Sequence, residues 1–149
     1  DELQVKAVRR VLLDLGIDSN PTKPGFVVDL LGREVAVEVT SNKNKIAADN
    51  NSLTQVSRFI QTERKTEKVI LVANTYSRQP INERSAKEDF THQAAEFLRK
   101  LDVCYLTAYC LYLLWIRVQE ENLSTERAKE LLLKTSNEIT EEMVSTRTS

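Results

Sequence analysis

Glycine is scarce in this chain. It occurs three times in 149 residues, at positions 16, 25 and 32. Glycines so dispersed cannot build the Gly-rich loop that wraps phosphate groups with backbone N–H donors. That excludes a P-loop or dinucleotide-binding segment, and no nucleotide cofactor is expected. Histidine is scarcer still: His92 is the only one. With no cysteine or second histidine beside it, it reads as a first-turn residue of a helix rather than a zinc ligand. The two cysteines, Cys104 and Cys110, lie in an apolar stretch without metal-ligand spacing. They read as reduced core residues, which points to a cytoplasmic protein. Long apolar runs are missing as well. The longest, Val103 to Ile116, is broken by Thr107 and is too short to span a bilayer, so no membrane partner is expected. The chain does not begin with Met, as in a processed protein or a domain cut from a longer one.

A charge excess is also lacking. The formal net charge is -1, so no global basic field advertises nucleic acid. The charges are uneven, though: residues 1–100 hold 16 Lys and Arg against 14 Asp and Glu, and residues 101–149 hold 5 against 8. Any nucleic-acid surface is therefore expected as a local patch in the first two thirds. What is present fits a soluble globular chain, with 41% hydrophobic and 29% charged residues, long enough to bury a real core.

Apolar spacing divides the chain into elements. Leu3, Ala7, Val8, Val11, Leu12 and Leu15 follow helical spacing, and Gly16 stops that helix. Residues 17–25 read as a loop or frayed edge strand. Residues 26–40 read as a hairpin, and 41–45 as a polar loop. Leu53, Val56, Phe59 and Ile60 mark a second helix, from Asp49 or Asn51 to about Arg64. Lys68 to Asn74 is a continuous apolar run typical of a strand covered on both faces. A polar loop with Pro80 follows. Phe90, Ala94, Phe97, Leu98 and Leu101 mark a third helix, Val103 to Thr107 another buried strand, and Leu111, Leu114, Trp115 and Val118 a helix directly after it. Ser124 caps a helix holding Leu131 and Leu132. The tail after Glu142 reads as frayed. The order α-β-β-α-β-α-β-α-α predicts an α/β fold, a small mixed sheet with helices on both faces. Residues 1–120 form the domain proper, and 121–149 a helical extension packed on it.

The hairpin carries an anomaly. Asp29 and Glu38 are acids inside otherwise apolar strands, where acids form strands poorly and are costly to bury unpaired. With Gly32-Arg33 as a type II′ turn, Asp29 faces Ala36 and is a diagonal neighbour of Glu38, about 5–8 Å away. Two carboxylates at that distance can converge on a hard cation, above all Mg²⁺. A one-residue slip would separate them onto opposite faces.

A helix, a hairpin with Asp in its first strand and Glu in its second, and then α-β-α-β together resemble the PD-(D/E)xK superfamily, the restriction-endonuclease-like nucleases. The stretch Val69 to Trp115, with Ala73-Asn74, Pro80, Arg84, Phe90 and Leu106-Thr107, is similar to a prokaryotic branch of such domains. The resemblance covers about residues 1 to 120. It implies a Mg²⁺- or Mn²⁺-dependent deoxyribonuclease in which Asp29, Glu38 and the Val39 carbonyl hold the metal. One departure stands out: the superfamily's lysine position is Thr40 here. Lys43 or Lys45, on the following loop, would have to reach back; otherwise both are solvated charges. The resemblance also points to Gln55 on the next helix as a site residue, and to Glu2 on the first as an added acid, although each could equally be solvated or lie at a chain end. Arg58, Arg64, Lys65 and Lys68 read either as a phosphate-binding strip or as cations complementing a helix end. Asn74, Arg78 and Arg84 flank a strand end, and either touch nucleic acid or order their own loop. DNA is the expected partner. A homodimer is expected from the apolar 103–118 region, and a fused or separate recognition subunit is a third arrangement. The alternative reading is a catalytically impaired module of the same fold that serves DNA binding or protein interaction.

Overall fold

Alternation along the strands builds a sheet with two apolar faces. The computed structural model describes residues 2–21, 26–47, 49, 51–62, 68–85 and 88–145, with the side chains of residues 2, 3, 21, 52, 55 and 59–62 left out. Its elements are α1 (Glu2–Asp14), β1 (Ser19–Pro21), β2 (Phe26–Leu30), β3 (Arg33–Ser41), α2 (Asn51–Thr62), β4 (Lys68–Asn74), a 3₁₀ turn (Ile81–Glu83), α3 (His92–Lys100), β5 (Cys104–Thr107), α4 (Ala108–Gln119), α5 (Thr125–Lys134) and α6 (Glu141–Ser145). The five strands lie in sequence order. β1, β2 and β3 pair antiparallel, and β3, β4 and β5 pair parallel.

The mixed α/β architecture with helices on both faces matches the sequence reading. Phe26, Val28, Leu30, Val35, Val37, Ile70, Val72, Cys104 and Leu106 point to one face. There they pack on Val8 and Leu12 of α1, Leu111 and Leu114 of α4, Leu132 of α5 and Val144 of α6. Ala36, Val69, Leu71, Ala73 and Tyr105 point to the other face, against Leu53 and Val56 of α2 and Ala94 and Leu98 of α3. The parallel strands are covered on both faces, which is why β4 reads as an unbroken apolar run. Both cysteines are buried and unbonded to each other. No helix among the described residues is long and apolar enough to cross a membrane.

Two readings at the periphery are corrected, and a third is narrowed to one of its alternatives. Of the loop or frayed edge strand expected over residues 17–25, residues 19–21 form the edge strand β1. It is held from outside by Arg9, which donates to the Ser19 hydroxyl at 2.7 Å and lies over the Phe26 ring. Phe90 lies ahead of α3, in a bridge to Ile46, because Thr91 caps the helix by accepting the Ala94 N–H. The tail expected to fray after Glu142 contains α6, with Val144 buried, while residues 146–149 lie outside the described residues. Ahead of α6, Asn137 and Ile139 bond to the backbone of Tyr105 and cover the β5 edge.

Candidate functional site

The largest correction lies in the hairpin. Its turn is Leu31-Gly32 rather than Gly32-Arg33, with φ of 52° and 85°, both positive as in a type I′ turn. Asp29 helps set it: its carboxylate accepts the Gly32 N–H at 2.9 Å. The ladder therefore pairs Asp29 with Glu34 and Leu30 with Arg33. Compared with a Gly32-Arg33 turn, the strands are offset by two residues. Such an offset keeps every side chain on its expected face but moves partners along the strand. Glu38 lies four residues beyond Glu34, so at about 3.3 Å per residue it is roughly 13 Å from Asp29 along the sheet. The two carboxylates share a face and cannot share an ion. The expected Asp29–Glu38 metal pair is thus not assembled, and Asp29 is a turn residue, exposed at the hairpin tip.

Glu38 stands at the other end, where β3 runs beyond its pairing with the described part of β2 and beside Leu71 of β4. It is half-buried, and among the described residues it has neither a hydrogen-bond partner nor an ion-pair partner. Burial pushes its carboxyl from the usual 4.5 up to about 7. Two residues on, Thr40 is 5% exposed opposite Ala73, on the same face. Val39, between them, turns its side chain to the opposite core.

Three loops close over this end of the sheet. Asn42 donates its N–H to the Asn74 carbonyl (3.0 Å) and accepts from Ser77 N–H (3.1 Å), while Tyr76 N–H donates to Asn44 O (3.3 Å). Ile46 N–H donates to Asp89 O at 2.7 Å, and the Thr75 hydroxyl donates to the Asp89 carboxylate. Arg84 ties the middle loop together. Its guanidinium, 7% exposed, donates to Asn74 Oδ1 (2.6 Å) and to the carbonyls of Ser77 (3.4 Å) and Gln79 (2.7 and 2.9 Å). Burial pulls its pKa down, and Asp89 opposes that shift.

These contacts distribute the expected site residues into two groups. Asn74 and Arg84 are committed to ordering their own loop. Lys45 is paired with Glu88 at 3.2 Å. Lys68, expected near a helix end, donates to the Leu133 and Thr135 carbonyls at the end of α5, and burial lowers its pKa. By contrast, Lys43 and Arg78 are exposed on interlocked loops, without a partner among the described residues. Arg58 is exposed on α2. The side chains of Gln55 and Glu2, and the expectations at Arg64 and Lys65, lie outside the described residues. His92 opens α3, as expected. Among the described residues no three His, Cys, Asp or Glu side chains are grouped to hold a metal. Thr75, Glu88 and Asp89, which the sequence reading passed over, help fasten the loops. Their partners are distant in sequence, so local spacing carries no sign of them.

No protein-family profile, curated protein or solved structure matches this chain.

Proposed function

We propose that this chain is a nucleic-acid-binding module of restriction-endonuclease-like architecture that holds DNA without hydrolysing it. The observation that carries this reading is the hairpin register: Asp29 pairs with Glu34, four residues short of Glu38. The two acids that the superfamily's chemistry would place on one Mg²⁺ are too far apart to do so. Thr40, buried at the superfamily's lysine position, cannot supply a cation to an attacking water. The element order and the two-sided covering of the sheet still support the architecture. Lys43 and Arg78, exposed on two loops bonded to each other through Asn42, Asn44, Tyr76 and Ser77 at the carboxyl end of the parallel strands, suit phosphate contacts that position a backbone without reading bases.

The test combines binding and cleavage. Fluorescence anisotropy should show DNA binding that weakens with salt, with the log–log slope falling by about 1 for each of Lys43→Ala and Arg78→Ala. Plasmid, single-stranded DNA and RNA should remain intact in Mg²⁺ and Mn²⁺. Absence of salt-dependent binding would overturn the reading in favour of protein interaction.

One observation favours a second reading, metal-assisted hydrolysis centred on Glu38: its carboxylate is partly desolvated and has no cation beside it among the described residues. On that reading the Glu38 carboxylate and the Val39 carbonyl would hold Mg²⁺ or Mn²⁺, which would lower the pKa of a bound water, and Lys43 would approach from its loop. Cleavage would then be lost in Glu38→Gln and kept in Asp29→Asn.

A further inference from the structure

α1 carries its cations on one side. Lys6, Arg9, Arg10 and Leu13 recur at helical spacing, away from the side that buries Val8, Leu12 and Leu15. None of the three cations lies in the last turn, where the helix dipole would favour them. With Leu13, Asp18 and Ser19 they line a groove of about 360 Å³ between α1 and β1. Asp18 is the one carboxylate in it, so the groove holds three positive charges against one negative, in a chain whose formal net charge is -1. Arg9 is the fixed member. Its Nε–H donates to Ser19 Oγ at 2.7 Å, its Nη2–H donates to the Ser19 carbonyl at 3.3 Å, and its guanidinium lies 5.9 Å from the Phe26 ring centroid. The Nη1 donors of Arg9 have no partner among the described residues. Lys6 is exposed and likewise has none among them. Arg10 is 78% exposed and makes only a 3.9 Å contact, with Asp14. Cations gathered with open donors repel one another until an anion lies between them.

We propose that this groove is a second phosphate site, which takes the backbone of the same DNA that Lys43 and Arg78 hold. The inference rests on DNA binding at those two residues. Position supports one ligand for both. Gln4 of α1 donates to Ser41 Oγ of β3 at 2.9 Å, two residues before Lys43. From Gln4 to Arg10 the helix rises about 9 Å, and the chain from Ser41 to Lys43 spans at most about 7 Å. The groove and Lys43 are therefore within roughly 25 Å of each other, a distance that a duplex covers in about seven base pairs. Arg9 presents a preset guanidinium edge, which suits a phosphate oxygen. Lys6 and Arg10 add charge on long side chains beside it. Leu13, 52% exposed, offers an apolar contact to a sugar ring. Contacts to phosphate and sugar fix the register of a backbone and carry no sequence information.

Fluorescence anisotropy of a duplex of about 20 base pairs, titrated across a range of salt, tests this. Lys6→Ala and Arg10→Ala should each lower the log–log salt slope by about 1, with unchanged circular dichroism. Asp18→Asn should tighten binding by about threefold, a gain that misfolding cannot produce. Lys100→Ala removes the same charge from an exposed position of α3, on the other face of the sheet, and should leave the slope unchanged. A wild-type chain without salt-dependent binding overturns the DNA reading and this inference with it. Binding that responds to Lys43→Ala and Arg78→Ala but not to Lys6→Ala and Arg10→Ala overturns the groove alone. So does an equal fall in Lys100→Ala, the sign of a diffuse field, and so does an affinity that Asp18→Asn leaves no tighter.

Discussion

Glu38 is a carboxylate kept where water is scarce, and its titration makes that testable. Its carboxyl loses a proton near 4.5 when unfolded and near 7 when folded. Between those values the folded form holds the extra proton, so this group favours folding at low pH and loses that contribution as pH rises through about 7. Glu38→Gln removes the loss. The variant's melting temperature should exceed the wild type's by about 2–4 °C near pH 8, about 1 kcal/mol, and the two should converge near pH 5. A stabilising change at a position that binding or chemistry would use is the usual sign of a site kept at a cost in stability. Arg84 is the opposite case. It joins Asn74, Ser77 and Gln79, so Arg84→Ala leaves several acceptors without their donor. It should destabilise by about 2–3 kcal/mol in urea unfolding. On the proposed function it should also weaken DNA binding, although it is itself buried, because Lys43 and Arg78 sit on the loops it helps fasten.

At the scale of elements, the hairpin shows what a sequence pattern can and cannot decide. The alternation of Phe26, Val28 and Leu30 with Val35, Val37 and Val39 fixes which residues share a face. That pattern is identical for two registers offset by two residues, and only the turn distinguishes them. A turn beginning at Gly32 places Asp29 diagonal to Glu38; the observed Leu31-Gly32 turn places them four positions apart. The deciding feature is the Asp29 carboxylate on Gly32 N–H, a local bond that reads equally well as a metal ligand until the register is known. The turn makes its own prediction. Leu31 occupies positive φ at 42% exposure, and a leucine is strained there. Leu31→Asn, giving the favoured Asn-Gly pair, should stabilise by about 0.5–1 kcal/mol, and Gly32→Ala should destabilise by about 1 kcal/mol or more, both read by thermal unfolding. Other elements were legible because their signals are local: the β4 run from Lys68 to Asn74, and the Ser124 cap, which accepts the Arg127 N–H. β1 and α6 were not. One has three residues, and the other is mostly polar and made helical by docking Val144.

Across the whole molecule, the last segment completes the core rather than trailing from it. Ile139 and Val144 are 0% and 2% exposed, and residues 137–139 cover the β5 edge. Removing residues 135–149 should therefore lower stability by several kcal/mol and promote association through the opened edge, seen as a lower melting temperature with aggregation. On the proposed function, the carboxyl end of β3 and β4, with Lys43 and Arg78, is the place for a polyanion, while the hairpin tip with Asp29 lies away from it. The most direct test is a gel time course of plasmid and single-stranded DNA bound to the wild-type chain in Mn²⁺. The account predicts shifted but intact DNA at every time point. Cleavage abolished equally by Asp29→Ala and Glu38→Ala would contradict it, because two acids about 13 Å apart along one sheet face cannot serve one ion.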